Sequence, residues 1–365
     1  MGDRTQATIL VGITYRSIAA RANSADAAEL HTQTRTVYHE SYQGAEVEVA
    51  PGIDRIESIL GPRPFSQYLV RGERIMLLDT GVVETPWEVI LPYFDSVGLD
   101  PGDLDFVLNT HADVDHFGGN AAIREQAPGA VFCAHAADVL WIEDREQILR
   151  ERYGWYAAHD VDYAPQVKDW LRDAMGPDVP IDLRLVGGET FRIGPELVVE
   201  VLHLPGHSPG HVGLWEPSSG TAIITDAALR AGLLDMEGNV INPPPYFDVA
   251  GYEGSVHLLQ SLSPRRLLTA HYEEMEGEEV TRFLEESIAF VEHARSAVSE
   301  ALAEHGELTL RGLLQFANPR LGPFTVMENE LAGTLRAHAR ELVAAGQVEE
   351  ASGSEPTVWR ATARR

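Results

Sequence analysis

NTHADVDHFGGN, residues 109–120, crowds two histidines and two aspartates between His111 and His116, directly ahead of a glycine pair. All four side chains can bind a metal ion. His111 and Asp113 stand two apart, as do Asp113 and Asp115. In a tight turn they can point into one hollow while Ala112 and Val114 pack behind. The stretch follows DFVLNT, which reads as a buried strand. The loop therefore sits at the C-terminal end of a strand, where α/β proteins commonly build sites. Gly118 and Gly119 let the backbone pass close beneath the site and open the next helix.

Further along, each at the end of another predicted strand, come His207 in LPGHSPGH, Asp226 in IITDAAL and His271 in LLTAHYE. Alone, His207 or His271 reads as an ordinary polar residue. With the loop they make seven nitrogen or oxygen donors on four strand ends, enough for two metal ions. Ser208 lacks the spacing of a nucleophile elbow. His203 reads as structural, and His135 as a candidate for the rim of the site.

The rest of the chain reads as strands with interleaved helices, an α/β sandwich in two related halves. Strand character begins at Val37. FSQYLVRGERIMLLDTG predicts a hairpin turning at Arg71-Gly72-Glu73, and PWEVILPYFDSVGL a helix ending near Gly98. Residues 138–180 carry charged helical segments with Trp141, Tyr153, Trp155, Tyr156, Tyr163 and Trp170, the pattern of an inserted helical lid. After TAIITD comes a long loop with NPPPYF. Trp155, Tyr156, Tyr246 and Phe247 are the expected walls of an apolar pocket. We divide the chain into a poorly ordered leader over 1–35, a catalytic domain over 36–276 and a C-terminal domain over 277–365. The last contains three helices and a terminal hairpin, the outline of a winged helix.

Composition narrows the function. The chain has 365 residues and a formal net charge of −28, which repels nucleic acid and anionic membranes. Between Thr281 and Arg365, nine Arg against twelve Asp or Glu leave −3, so the tail lacks a basic recognition face. A docking or homodimerising role suits it better. Cys133 is the only cysteine, which excludes an internal disulfide and a thiolate zinc site and fits a small buried residue. No apolar run approaches the roughly 20 residues of a membrane span. ATILVGI near the start is short, and we expect a cytoplasmic protein rather than a secreted one.

At His111-Ala-Asp113-Val-Asp115-His116 the sequence resembles the metallo-β-lactamase fold superfamily, whose loop reads HxHxDH. The likeness extends over about Val37 to Glu274. His207, Asp226 and His271 match the later ligands of that family, and LLDTG with Asp79 its early strand. The resemblance implies a four-layer αββα sandwich. It implies one metal held by His111, Asp113 and His207, another by Asp115, His116 and His271, and Asp226 between them. It places Asp79 behind the metals; His211 is expected to hydrogen-bond a ligand loop. Tail and core together resemble the glyoxalase II-like branch with a C-terminal winged helix. The departure is Asp113, where the family usually has His. An oxygen donor there tilts preference from zinc towards iron or manganese; alternatively it weakens the first position so that only the second fills readily.

The expected function is a metal-dependent hydrolase that uses a metal-bound hydroxide on a small-molecule ester, thioester or lactone. Two divalent ions, zinc or iron with manganese as a third choice, would serve it. Asp115 and Asp226 would orient the attacking water and move its proton. Two alternatives stand beside this: a diiron redox enzyme of persulfide dioxygenase or oxygen-reducing type, and a nuclease or nucleic-acid-binding protein, against which the acidic tail argues.

Overall fold

The computed structural model describes residues 48–324, 327–351 and 356–362. The expected leader over 1–35, and the strand character read from Val37 up to residue 47, lie outside the described residues.

Period-two stretches pair as strands. β1 (Glu48–Ala50) and β2 (Ile53–Leu60) lead into β3 (Arg63–Arg71), which turns through Gly72 into β4 (Ile75–Leu78), with Arg71 opposite Ile75. This is the hairpin the sequence predicts. A turn of π-helix, Pro86–Ile90, runs on as α1 (Leu91–Val97), stopped at Gly98 in the left-handed conformation (φ 70°). Then follow β5 (Phe106–Leu108), the short α2 (Val114–Phe117), α3 (Asn120–Gln126) and β6 (Val131–His135). The stretch expected to be helical holds α4 (Val139–Glu143), α5 (Arg145–Glu151), a 3-10 turn at Trp155–His159 and α6 (Pro165–Ala174). β7 (Leu183–Leu185) closes a seven-stranded sheet in chain order, antiparallel as far as β4 and parallel from β4 to β7.

The second half repeats the plan. β8 (Thr190–Arg192), β9 (Val198–His203), β10 (Val212–Glu216) and β11 (Thr221–Thr225) are antiparallel neighbours. The predicted long loop contains a two-stranded hairpin, β12 (Leu233–Leu234) with β13 (Val240–Asn242). After α7 (Val249–Leu262), β14 (Arg266–Thr269) returns parallel to β11, and β15 (Met275–Glu276) ends the sheet. The sheet order is β15-β14-β11-β10-β9-β8. All five residues of β11 are buried, as expected for a strand covered on both faces.

The two sheets face each other. Tyr68, Val70, Met76, Leu78, Leu108 and Cys133 of the first meet Val199, Val201, Val212, Leu214, Ile223 and Leu268 of the second in one continuous apolar cluster. Full burial of an aliphatic side chain contributes about 1.5–3 kcal/mol, so this interface holds the frame on which the site is mounted. Helices complete the αββα sandwich. Burial also pushes the Cys133 thiol up to about 12, so it is an inert core residue.

The C-terminal region opens with α8 (Glu278–His305). Its buried positions Phe283, Ser287, Phe290, Val291, Ala294, Ala297, Val298 and Ala301 recur at helical spacing. β16 (Glu307–Thr309), α9 (Leu310–Leu321), α10 (Glu328–Ala344), β17 (Val348–Glu350) and β18 (Val358–Ala361) follow. The last strands form a small antiparallel sheet, β16-β18-β17. Glu46–Arg365 make one compact unit, so this region packs as part of the same body. Among the described residues no helix is long and apolar enough to cross a membrane.

Candidate metal centre

Asn109 and Asn120, the two ends of the quoted loop, clasp each other. Asn109 Nδ2 donates to Asn120 Oδ1 (3.0 Å) and Asn120 Nδ2 to Asn109 Oδ1 (2.8 Å). The loop between them is thereby closed on itself at the end of β5. Gly118 and Gly119 permit the close approach expected of them: a Cβ at Gly119 would stand 2.2 Å from the Thr80 carbonyl oxygen, and one at Gly118 2.2 Å from that of Ala174. Two non-glycine residues beside the site, Asp79 (φ 61°) and Thr225 (φ 43°), have left-handed backbone. For a β-branched threonine this is strained, a feature that clusters at functional sites.

Four histidines aim Nε2 into one hollow because each has Nδ1 occupied elsewhere. His116 Nδ1 bonds Asp79 Oδ2 (2.7 Å), His207 Nδ1 the Pro245 carbonyl (2.7 Å), His271 Nδ1 the Pro64 carbonyl (3.0 Å) and His111 Nδ1 the Thr110 hydroxyl (3.2 Å). An imidazole donating through Nδ1 presents a bare lone pair at Nε2, the arrangement that orients metal-binding histidines. Asp79 stands behind His116, and it also accepts from the Thr110 amide (2.7 Å) and hydroxyl (2.8 Å). His211 stacks on His111 with centroids 4.6 Å apart and bonds the Thr225 hydroxyl (3.2 Å).

The donor atoms fall into two groups, each within 4.8 Å: His111, His207 and Asp226, and Asp115, His116 and His271. Asp226 Oδ2 lies 3.4 Å from Nε2 of both His116 and His271, between the groups. Nε2 of His116, Nε2 of His271 and Oδ1 of Asp226 are buried with no hydrogen-bond partner. His111 and His207 bring their Nε2 atoms within 3.0 Å of each other. Buried lone pairs facing one another are costly unless a cation lies among them. Imidazole nitrogens and carboxylate oxygens suit first-row divalent ions, so both groups of residues fit such ions. Burial opposes charge on Asp226, yet His271 and His116 hold its carboxyl well below the usual range. Burial likewise lowers His116, but Asp79 and Asp226 outweigh it and raise this imidazole well above its ordinary value.

Asp113 also faces the first group, with its Oδ2 3.8 Å from His111 Nε2. Its Oδ2 is 3.1 Å from His207 Nε2, but Arg152 grips it with Nε on Oδ1 (3.0 Å) and Nη2 on Oδ2 (3.1 Å), and Tyr153 donates its hydroxyl to Oδ1 (3.2 Å). Burial opposes ionisation of Asp113, and the Arg152 guanidinium overcomes it, holding the carboxyl well below the usual range. Counting the ligands alone leaves out the charge on Arg152.

The expected pocket walls need correction. Tyr246 is fully buried, stacked on Tyr252 at 4.6 Å with its hydroxyl on His338 Nε2 (2.6 Å), and Tyr156 is fully buried against Trp155 and Tyr163. Neither can line an open pocket. Trp155 lies under Arg336 of α10 at 4.6 Å. Phe247 packs over Arg152 at 4.5 Å. Of the aromatics in the helical insertion, Tyr153 reaches the metal loop. His135 stacks on His203 at 4.1 Å, outside both donor groups, and Ser208 donates to Asp138 (2.5 Å), which disposes of it as a nucleophile.

Three residues escape a reading of the sequence. Arg152 is one. Asp138, fully buried, accepts from Ser208 Oγ, from the Gly210 amide (2.6 Å) and from the Ala112 amide (3.1 Å), fastening the 207–211 loop to the metal loop. Arg63 extends to within 3.9 Å of Asp115 Oδ2 and donates to the Asn242 amide oxygen (3.2 Å).

The Metallo-beta-lactamase superfamily profile matches residues 60–271. A probable metallo-hydrolase of Bacillus subtilis (strain 168), YflN, is 23% identical over 248 residues, 64% of this chain and 89% of that protein. A hydroxyacylglutathione hydrolase of Nitrosococcus oceani is 28% identical over 127 residues, and these make up 34% of each chain. An N-acyl homoserine lactonase of a Bacillus species is 25% identical over 131 residues, 35% of this chain and 40% of that one. Among solved structures, a metallo-beta-lactamase family protein of Thermus thermophilus shares the fold with TM-score 0.66 at 21% identity, covering 86% of this chain and all of that one. A beta-lactamase domain protein of Burkholderia ambifaria does so with TM-score 0.67 at 21% identity, covering 88% of this chain and 96% of that one.

Proposed function

Because this chain belongs to the metallo-beta-lactamase superfamily, we propose that it is a hydrolase using two divalent ions, zinc or iron, to cleave a small-molecule ester, thioester or lactone. One observation carries the reading: four Nε2 lone pairs and the Asp115 and Asp226 carboxylates converge on one hollow, each ring fixed from behind through Nδ1. Bound there, the ions would lower the pKa of water towards about 7 and polarise a carbonyl.

The protein's own residues supply the rest. Asp226, between the two groups, fixes their spacing. Asp115 is the more exposed of the two carboxylates, 9% against 4%, and can pass the proton of the attacking water outward. Arg63, beside Asp115, is a cation placed to bind the carbonyl oxygen or an acidic group of a substrate at the mouth. The names of two relatives, for an acylglutathione and for a lactone, support a substrate with an activated carbonyl. The iron-redox alternative leans on Asp113 as a hard oxygen donor. Arg152 offsets the charge of that carboxylate, which weakens the support it gives the alternative. We place the activity in the cytoplasm.

The test is a screen of the metal-replete protein against thioesters, lactones, simple esters and phosphodiesters, alongside elemental analysis. We expect turnover of at least one acyl substrate that stops on chelation. Turnover of phosphodiesters alone, or stoichiometric iron with oxidation of a persulfide, would replace this reading.

A further inference from the structure

Among the carboxylates facing the hollow, Asp113 alone is hydrogen-bonded to a guanidinium, whereas Arg63 stays 3.9 Å from Asp115. A carboxylate oxygen offers two in-plane lone pairs. Oδ1 of Asp113 uses one on the Tyr153 hydroxyl and lies 3.0 Å from Arg152 Nε as an ion pair. Oδ2 uses one on Arg152 Nη2 and turns the other towards His207 Nε2. Asp226 differs, with Oδ1 free of any partner. Beside the His111–His207 pair, then, stands a carboxylate whose charge a guanidinium already offsets, whereas Asp115 in the other group has no guanidinium in hydrogen-bond contact.

Arg152 is held through Nε and Nη2, while its buried Nη1 has no hydrogen-bond partner. It is 4% exposed, and its guanidinium lies 4.8 Å from the Tyr153 ring centroid and 4.5 Å from that of Phe247. Behind it, Glu330 in the first turn of α10 accepts from Nη2 at 3.0 Å. Glu330 is itself buried and also accepts the Tyr163 hydroxyl. Nη2 gives one N–H to Asp113 and the other to Glu330, so one positive charge is divided between two carboxylates.

We propose that Arg152, gripped from behind by Glu330, offsets the charge of Asp113 beside the His111–His207 position, so that the two metal positions are unequal and the Asp115–His116–His271 position fills first. Arg152 and Glu330 are positioning residues, acting on the metal through Asp113. This rests on the two-metal reading above. It ties the C-terminal region to the metal centre through a single buried carboxylate.

Two variants should act in opposite directions. Arg152→Met frees Oδ2 of Asp113, leaves Oδ1 to the Tyr153 hydroxyl and removes a cation beside the first position, so metal binds there more tightly. Glu330→Gln releases Arg152 from its rear partner, so the guanidinium holds Asp113 harder and metal binds there more weakly. A merely structural role would weaken binding in both.

The experiment titrates metal-stripped full-length protein with Zn(II) against a chromophoric chelator, and with Co(II), whose visible spectrum reports coordination. The native chain should take two equivalents, the second weaker by about 10-fold or more, the scale of effects from residues behind a ligand. The gap should narrow in Arg152→Met and widen in Glu330→Gln. If Arg152→Met fails to fold with Glu330 left unpaired, the double variant Arg152→Met/Glu330→Gln removes both charges and should also narrow the gap. Two equal sites in the native chain, or shifts of the same sign in both single variants, would overturn the inference while leaving the two-metal reading intact. Failure to bind any stoichiometric transition metal would remove that reading as well.

Discussion

At Asp138 three donors meet one buried carboxylate, two of them backbone amides that nothing else can satisfy. Asp138→Ala should cost about 3–5 kcal/mol, because each orphaned buried donor costs about 1–3 kcal/mol. Urea denaturation of the two chains measures this. A loss below about 1 kcal/mol, the low end of that penalty, would mean that water replaces the carboxylate. The same substitution frees the 207–211 loop, so metal affinity should fall with stability. Asp138 and Arg152 show why part of the site was hidden in the sequence. The candidate metal-binding side chains were legible because they cluster at the ends of predicted strands. Arg152 sits at the end of a charged helix, where an arginine normally faces solvent, and its partner Glu330 lies 178 positions away. Asp138 looks like an ordinary helix-start aspartate. Only the fold brings these groups together.

At the scale of elements, α10 is pressed against the NPPPYF loop. A Cβ on Gly333 would stand 2.3 Å from Phe247 Cε1, and Thr334 Oγ1 donates to the Pro244 carbonyl (3.0 Å). Gly333→Ala should therefore destabilise the protein by about 1–3 kcal/mol, as overpacking does, although alanine favours helix by about 1 kcal/mol. A thermal melt decides the sign: stabilisation would show that the Phe247 ring moves aside freely. The long elements were readable from period alone, as α8 and the β3–β4 hairpin illustrate. β7, β15 and β16, of two or three residues, carry too few side chains to display any period. The pocket walls failed for another reason. An aromatic residue in a loop carries no mark of which way it faces, and Tyr246 turned inward to His338.

For the whole molecule, the frame and the centre have separate sources of stability. The apolar cluster between the sheets contains no metal ligand, and every histidine of the centre is tethered to protein through Nδ1. Stripping the metal should leave far-UV circular dichroism unchanged at room temperature and lower the melting temperature by a few degrees. Binding at about 100 times Kd is worth about 2.7 kcal/mol. Unfolding on chelation would instead make the ions structural. The Glu330 contact has a practical corollary. Cutting the chain near residue 277 would give a fragment that keeps all seven candidate metal-binding side chains of the two sheet halves yet strands Arg152 without its counter-charge and deprives Tyr246 of His338. Whatever history joined the two stretches, neither can now be borrowed, swapped or lost alone without rewiring the other.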